Sequence, residues 1–255
     1  MTTPLADQLT ALGLRYVAQN LNDLIDLTTR KRWSPAQMLE HLVDLESKDR
    51  TRRSLERRLR RSQIGRFKPM ADFDWSWPEE VDRDKVESAL RLEFMEQAGN
   101  VVLVANQGLG KTMVAKNIAY QAAVAGHAVR FLSASQLLLD LGAQDSAKSL
   151  DRRLRYWSTI KLLVLDEIGY LSYDSRNADL LFQVVSRRYE NKSLVLTTNL
   201  VFQDWPTIFP NAACTTALID RVIHHSLIIP IKGESYRKRE AEITAKRKPG
   251  RPRKK

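Results

Sequence analysis

An apolar strand that runs into a glycine-flanked lysine, with a helix immediately after it, leaves a chain few ways to fold. Residues 100–104 read Asn-Val-Val-Leu-Val, and residues 105–112 read Ala-Asn-Gln-Gly-Leu-Gly-Lys-Thr. From Thr112 to Ala125 the pattern is helical, and Gly126 ends it. Such a loop turns its backbone N–H groups and the positive end of the next helix toward one point, where a phosphate fits. Gly108 and Gly110 permit the tight path. The phosphate-binding candidates are therefore Ala105, Asn106, Gln107, Gly108, Leu109, Gly110, Lys111, Thr112 and Met113. In this arrangement Lys111 reaches the β- and γ-phosphates of ATP, and Thr112 places its hydroxyl on Mg²⁺. The usual loop begins with glycine. Alanine at position 105 fits only where the backbone avoids positive φ.

A second half-site lies downstream. Leu162-Leu163-Val164-Leu165-Asp166-Glu167 is an apolar strand ending in two carboxylates, at the edge where α/β sheets bind ligands. Asp166 is the candidate second holder of Mg²⁺, and Glu167 the residue that polarises the attacking water. A further strand ends in Thr197-Thr198-Asn199, and Asn199 is the candidate γ-phosphate sensor; the alternative is a simple turn residue.

Strands are predicted at 100–104, 128–132, 162–165, 193–197 and 227–231, with helices between them. The alternation predicts an α/β fold, a P-loop NTPase with a five-stranded parallel sheet covered on both faces. Ahead of it, residues 1–66 read as a small all-α domain. Leu9 to Leu27 recur at helical spacing, a break follows at 28–34, and Pro35 opens a second helix with Met38, Leu39, Leu42, Val43 and Leu45 on its apolar side. Residues 67–82, with Phe67, Pro69, Phe73, Trp75, Trp77 and Pro78, read as a linker whose rings pack on a neighbouring surface or stack on bases. The ATPase core is set at 83–236 and a basic tail at 237–255.

A net charge of +11 points to a polyanion, and its clustering favours nucleic acid over mere solubility. One cluster is the second helix, where Arg50, Arg53, Arg57, Arg60 and Arg61 are candidate contacts to DNA phosphates; the plainer reading is a solvated face. The other is the tail. Gly250-Arg251-Pro252-Arg253 with basic flanks resembles an AT-hook, whose arginines enter the narrow minor groove of A·T-rich DNA. No apolar run reaches the roughly 18 residues of a membrane helix, and the first residues carry no secretory signal, so no membrane partner is expected. The single cysteine, Cys214, fits a reducing cytoplasm. His224 and His225 have no metal-binding partner at ligand spacing in the sequence and read as the end of a helix.

With these residues in hand, the chain resembles the IstB family, the ATPase helpers of insertion-sequence transposases, which are related to the helicase-loader branch of AAA+ proteins. The resemblance extends up to about Glu240. Its most specific stretches are 165–171 (Leu-Asp-Glu-Ile-Gly-Tyr-Leu), 181–189, 218–225 and 232–237. Glu56-Arg57-Arg58-Leu59 and Asp72-Phe73-Asp74 also match, whereas Ala105-Asn106 stands where the family usually has Gly-Pro. The resemblance implies a bacterial, nucleoid-associated ATPase that assembles with copies of itself into a ring or helical filament. It implies that this assembly binds double-stranded DNA, marks or bends the target, and recruits and stimulates the transposase of the same element. It further implies that Arg221 is an arginine finger reaching a neighbouring subunit's nucleotide, and it makes Arg237 a candidate second sensor. Two alternatives stay open on the same core: a helicase loader acting on single-stranded DNA, and an ATP-gated DNA scaffold with negligible hydrolysis.

Overall fold

The structure is a computed structural model, and it describes residues 4–170, 173–210, 212–236, 238 and 239. The chain divides into two compact units, and the division falls between Arg57 and Arg58.

The first unit contains helices α1 (Leu5–Ala11), α2 (Arg15–Gln19) and α3 (Leu21–Lys31) and most of α4 (Pro35–Ser62). The single stretch of helical periodicity ahead of position 28 is therefore three helices. Gly13, at φ 82°, turns the chain after α1, and Asn20 departs from helical angles before α3. The break predicted at 28–34 starts later, because α3 runs through Lys31 and ends on Arg32 in the left-handed region. Val17 and Leu24 are buried, while Leu39 and Val43, assigned to the apolar side of α4, are each 60% exposed. The inward side of α4 carries Glu46 and Asp49 instead, both buried. Glu46 accepts from the backbone N–H groups of Tyr16 and Val17 (2.9 and 3.2 Å), which open α2. Arg50 and Arg53 pair with Glu46, and Arg52 and Arg53 with Asp49.

The second unit is a sheet with helices on both faces. Its strands are β1 (Glu80–Val81), β2 (Asn100–Ala105), β3 (Val129–Ser133), β4 (Leu162–Ile168), β5 (Ser193–Thr198) and β6 (Ser226–Lys232). They lie in the order β1-β6-β2-β5-β4-β3. The five predicted strands are present and parallel. A sixth strand was not predicted: β1, two linker residues long, runs antiparallel along β6. It is too short to show a period, and the ion pair of Glu80 with Lys232 (2.6 Å) fastens it.

Alternation along the strands divides the core in two. Leu163 and Leu165 face α7 (Ala134–Gly142), α8 (Ala147–Thr159), α9 (Ser175–Arg188) and α10 (Ala212–Ile223). Leu162 and Val164 face α5 (Arg83–Leu90) and α6 (Lys111–Val124). Of the linker rings, Phe67, Phe73 and Trp75 pack against this second cluster, with Phe67 on Tyr120 and Phe73 edge-on to Trp75. Arg188 is fully buried, where it donates to the carbonyls of Trp157 and Ser193 (both 2.6 Å). Arg187 pairs with Asp151. No helix among the described residues is long and apolar enough to cross a membrane.

Candidate functional site

Four helices of the second unit have an N-terminus closed by their own side chains: Asp82 caps α5, Ser133 α7, Ser146 α8 and Asp174 α9. Helix α6 has no side-chain cap and begins at Gly110, at φ 90°. No side chain closes this end, and the positive end of the helix dipole is turned to the loop. Gly108 is also left-handed (φ 82°), so both loop glycines serve the backbone path. They serve close packing too: a Cβ on Gly108 would collide with Ser235, and one on Gly110 would lie 2.8 Å from the Phe73 ring. Ala105 is the last residue of β2, in register with Ile231, and is absent from the positive-φ residues. Its methyl group therefore fits where the usual loop has glycine.

Lys111 lies over the loop, its Nζ donating to the carbonyls of Ala105 and Asn106, the latter at 2.8 Å. Thr112 Oγ1 donates to Asp166 Oδ1 at 3.1 Å. Thr197 Oγ1 donates to the same oxygen and accepts from the Glu167 N–H at 2.9 Å. Asp166 is thus buried behind two hydroxyls, while Glu167 turns out into the cavity on a backbone at φ 63°. Hydroxyl and carboxylate oxygens set side by side form the hard donor set that suits Mg²⁺.

The cavity above the loop has a volume of about 360 Å³. Gln107 to Met113 form its floor, Glu167, Thr197 and Asn199 one end, and Asp72, Phe73, Asp74, Trp77 and Tyr236 a wall. The wall is tied to the loop: the Tyr236 N–H donates to the Gly108 carbonyl (3.0 Å), and Trp77 Nε1 to the Glu234 carbonyl (2.8 Å). Arg239 pairs with Asp74 and lies over the Trp77 ring. The Ser76 hydroxyl, with Arg239 helping, holds the Asp74 carboxyl below its ordinary value.

Of the sequence-predicted residues, the fold brings together Gln107 to Met113, Asp166, Glu167 and Asn199. Arg221 does not line this chain's own cavity. It is on α10, its guanidinium 4.7 Å from the Phe182 ring centroid. Arg50 and Arg53 are held by Glu46 and Asp49, whereas Arg57, Arg60 and Arg61 are exposed on α4. Arg237, Arg251 and Arg253 lie outside the described residues. Sequence reasoning missed Thr197 and the linker wall. Thr197 was visible as the start of Thr-Thr-Asn. Which of the three meets Asp166 depends on a register shift between Leu165 and Ile168, and residue order carries no trace of that shift.

The phosphate loop follows β2, and the acidic strand β4 lies one strand beyond, across β5. That sheet order with this loop defines a P-loop nucleotide-binding core of the AAA+ type. The chain belongs to the family of IstB-like ATP binding proteins, which matches residues 7–244. It is 34% identical over 241 residues to the ATP-binding protein of insertion sequence IS21 from Pseudomonas aeruginosa, covering 93% of this chain and 91% of that one. It is 32% identical to the corresponding protein of IS232 from Bacillus thuringiensis subsp. berliner, covering 91% and 93%. Among solved structures it is similar to DnaI (TM-score 0.52, 20% identity, 67% of this chain and 93% of that one). It is also similar to the DnaC helicase loader (TM-score 0.50, 19% identity, 64% and 97%). At these identities the structural likeness speaks for the fold alone.

Proposed function

We propose that this protein is an ATP-dependent, self-assembling helper ATPase that binds target duplex DNA and recruits and stimulates the transposase of its own insertion sequence. The observation that carries this reading is the start of α6, which has no side-chain cap and whose Thr112 donates to Asp166, set beside Glu167 in one cavity, in a chain of the IstB-like family. The α6 N–H groups and Lys111 bind the phosphates of ATP; Thr112 and Asp166 hold Mg²⁺, which when bound neutralises phosphate charge. Glu167 orients and polarises the attacking water, and Asn199 senses the γ-phosphate. Arg221, which does not line its own chain's cavity, acts in the cavity of a neighbour, which makes hydrolysis depend on assembly. Arg57, Arg60 and Arg61 bind DNA phosphates, and the tail with Arg251 and Arg253 takes the minor groove.

The test is the mass of the complex on a long duplex, measured by sedimentation at fixed salt with and without ATP. Large assemblies that need ATP and vanish in Lys111→Ala support the reading. Binding that ignores ATP and stays monomeric refutes it. For the tail, deletion of Lys246 to Lys255 weakens binding to A·T-rich duplex more than to G·C-rich duplex; equal losses leave simple charge as the explanation.

A further inference from the structure

Glu190 lies just past α9, and His224 and His225 just past α10. They are 34 residues apart in sequence, yet their ligand atoms lie within 4.8 Å of one another. Glu190 Oε1 is 3.8 Å from His224 Nδ1 and 3.9 Å from His225 Nε2. The sequence places no partner at ligand spacing from the two histidines, and the fold supplies one. The partner comes from another turn of the fold.

The backbone explains why three groups converge. Consecutive side chains at a helix end diverge by about 100°, so adjacent histidines do not normally share a ligand. His225 has φ 58°, and this left-handed step brings the two imidazole centroids to 3.8 Å. Glu190 is also left-handed, at φ 56°. Both turns are anchored from inside. Buried Asn100 accepts from the Leu194 N–H and donates to the Val222 carbonyl, and the Asn100 N–H binds the His225 carbonyl. Buried Arg188 donates to the Ser193 carbonyl, and its own carbonyl accepts from the N–H groups of Asn191 and Lys192. The ligand backbones are thus held, while the side chains are each about half exposed.

We infer that Glu190, His224 and His225 form a binding site for a borderline divalent transition-metal ion, Zn²⁺ being the best match. Two imidazole nitrogens and one carboxylate oxygen are a three-ligand set with a fourth position for water. Bonds of roughly 2.0–2.1 Å at tetrahedral angles put ligand atoms about 3.3 Å apart, so the present spacing closes by side-chain rotation. The Tyr189 hydroxyl, 2.5 Å from His224 Nδ1 and on a ring stacked against that imidazole, occupies the ligand nitrogen and moves aside when the ion binds. Mg²⁺ prefers an all-oxygen octahedron and does not compete. A bound ion would pin the α9–β5 turn to the α10–β6 turn, and so fix the end of α10.

The experiment is a calorimetric titration of untagged, chelator-treated full-length protein with Zn²⁺, in excess Mg²⁺ to keep the phosphate-loop site occupied. One Zn²⁺ per chain is expected. His224→Ala, His225→Ala and Glu190→Gln should each weaken binding by at least about tenfold. Co²⁺ in place of Zn²⁺ should give the intense visible bands of a four-coordinate ion, and these should vanish in the same variants. Glu190→Gln keeps the side-chain volume and stands in should a histidine variant fail to fold. Three results would overturn the inference: no binding, binding unchanged in His224→Ala/His225→Ala, or binding lost in Asp166→Asn but kept in that double variant. Half an ion per chain, with dimers in sedimentation, would also overturn it, since the ion would then bridge two copies through a different ligand set.

Discussion

Glu46 and Asp49 in the N-terminal unit, and Asp166 and Glu167 at the sheet edge, are both acidic pairs, and three of the four residues are buried. Their neighbours differ in kind. Glu46 meets two arginines and two backbone N–H groups, and Asp49 meets two arginines. Asp166 meets the hydroxyls of Thr112 and Thr197. A guanidinium cancels the charge of a carboxylate and makes it a structural tie. A hydroxyl orients the carboxylate and leaves its charge in place, available to a cation. The partners, more than the acid itself, separate architecture from chemistry.

The sharpest way to break this contrast is to neutralise one acid in each region. Glu167→Gln should lower the rate of ATP hydrolysis by about 10²–10⁴-fold with little change in nucleotide affinity, as expected for loss of a general base. Steady-state phosphate release and equilibrium binding of a fluorescent nucleotide separate the two quantities. If affinity falls as much as rate, Glu167 is not acting on water. Glu46→Gln should do the reverse. It breaks a buried pair and should cost about 3 kcal/mol in the N-terminal unit, read by urea denaturation, while nucleotide affinity stays put. A smaller effect sharpens the role of the hydroxyls. Thr197→Val keeps the shape of the side chain but leaves Asp166 Oδ1 one donor short. It should cost about 1 kcal/mol and raise the Mg²⁺ concentration needed for half-maximal activity.

Asp140 is an intermediate case and gives the smallest effect. Burial opposes its ionisation, but the bonds from Arg153 and Trp157 outweigh burial and hold its carboxyl below the ordinary value. Because the folded value is the lower one, its stabilisation is complete above the unfolded carboxylate range and fades as pH falls through the folded value. Denaturation of the wild type and Asp140→Asn should therefore differ by less than about 1 kcal/mol near pH 6 and converge in acid. A difference that persists at low pH would assign the effect to packing.

The sheet edge was legible in the sequence because its signals are local. A strand, two glycines, Lys111 and Thr112 are contiguous, and Asp166 and Glu167 end an apolar run. The contrast with the N-terminal unit was not. Glu46 and Asp49 look like partial offsets to a basic helix, and only tertiary packing buries them and turns Glu46 onto the N–H groups of Tyr16 and Val17. The same limit hid Arg188, a charged residue beside Arg187 that the fold buries among carbonyls, and Glu190, whose histidine neighbours come from another turn. Long-range pairing of polar groups has no period, so a reading by period and spacing passes over it.

Glu167 sits at φ 63°, a conformation that suits glycine and that most side chains adopt only at a cost of about 1 kcal/mol or more. A glycine there would relax the turn, so Glu167→Gly should give a chain that melts higher and hydrolyses nothing. The local sequence optimum for folding and that for chemistry are different residues at this position. Selection for thermal robustness alone, in a directed-evolution screen that never asks for turnover, would be expected to drift toward the inactive one.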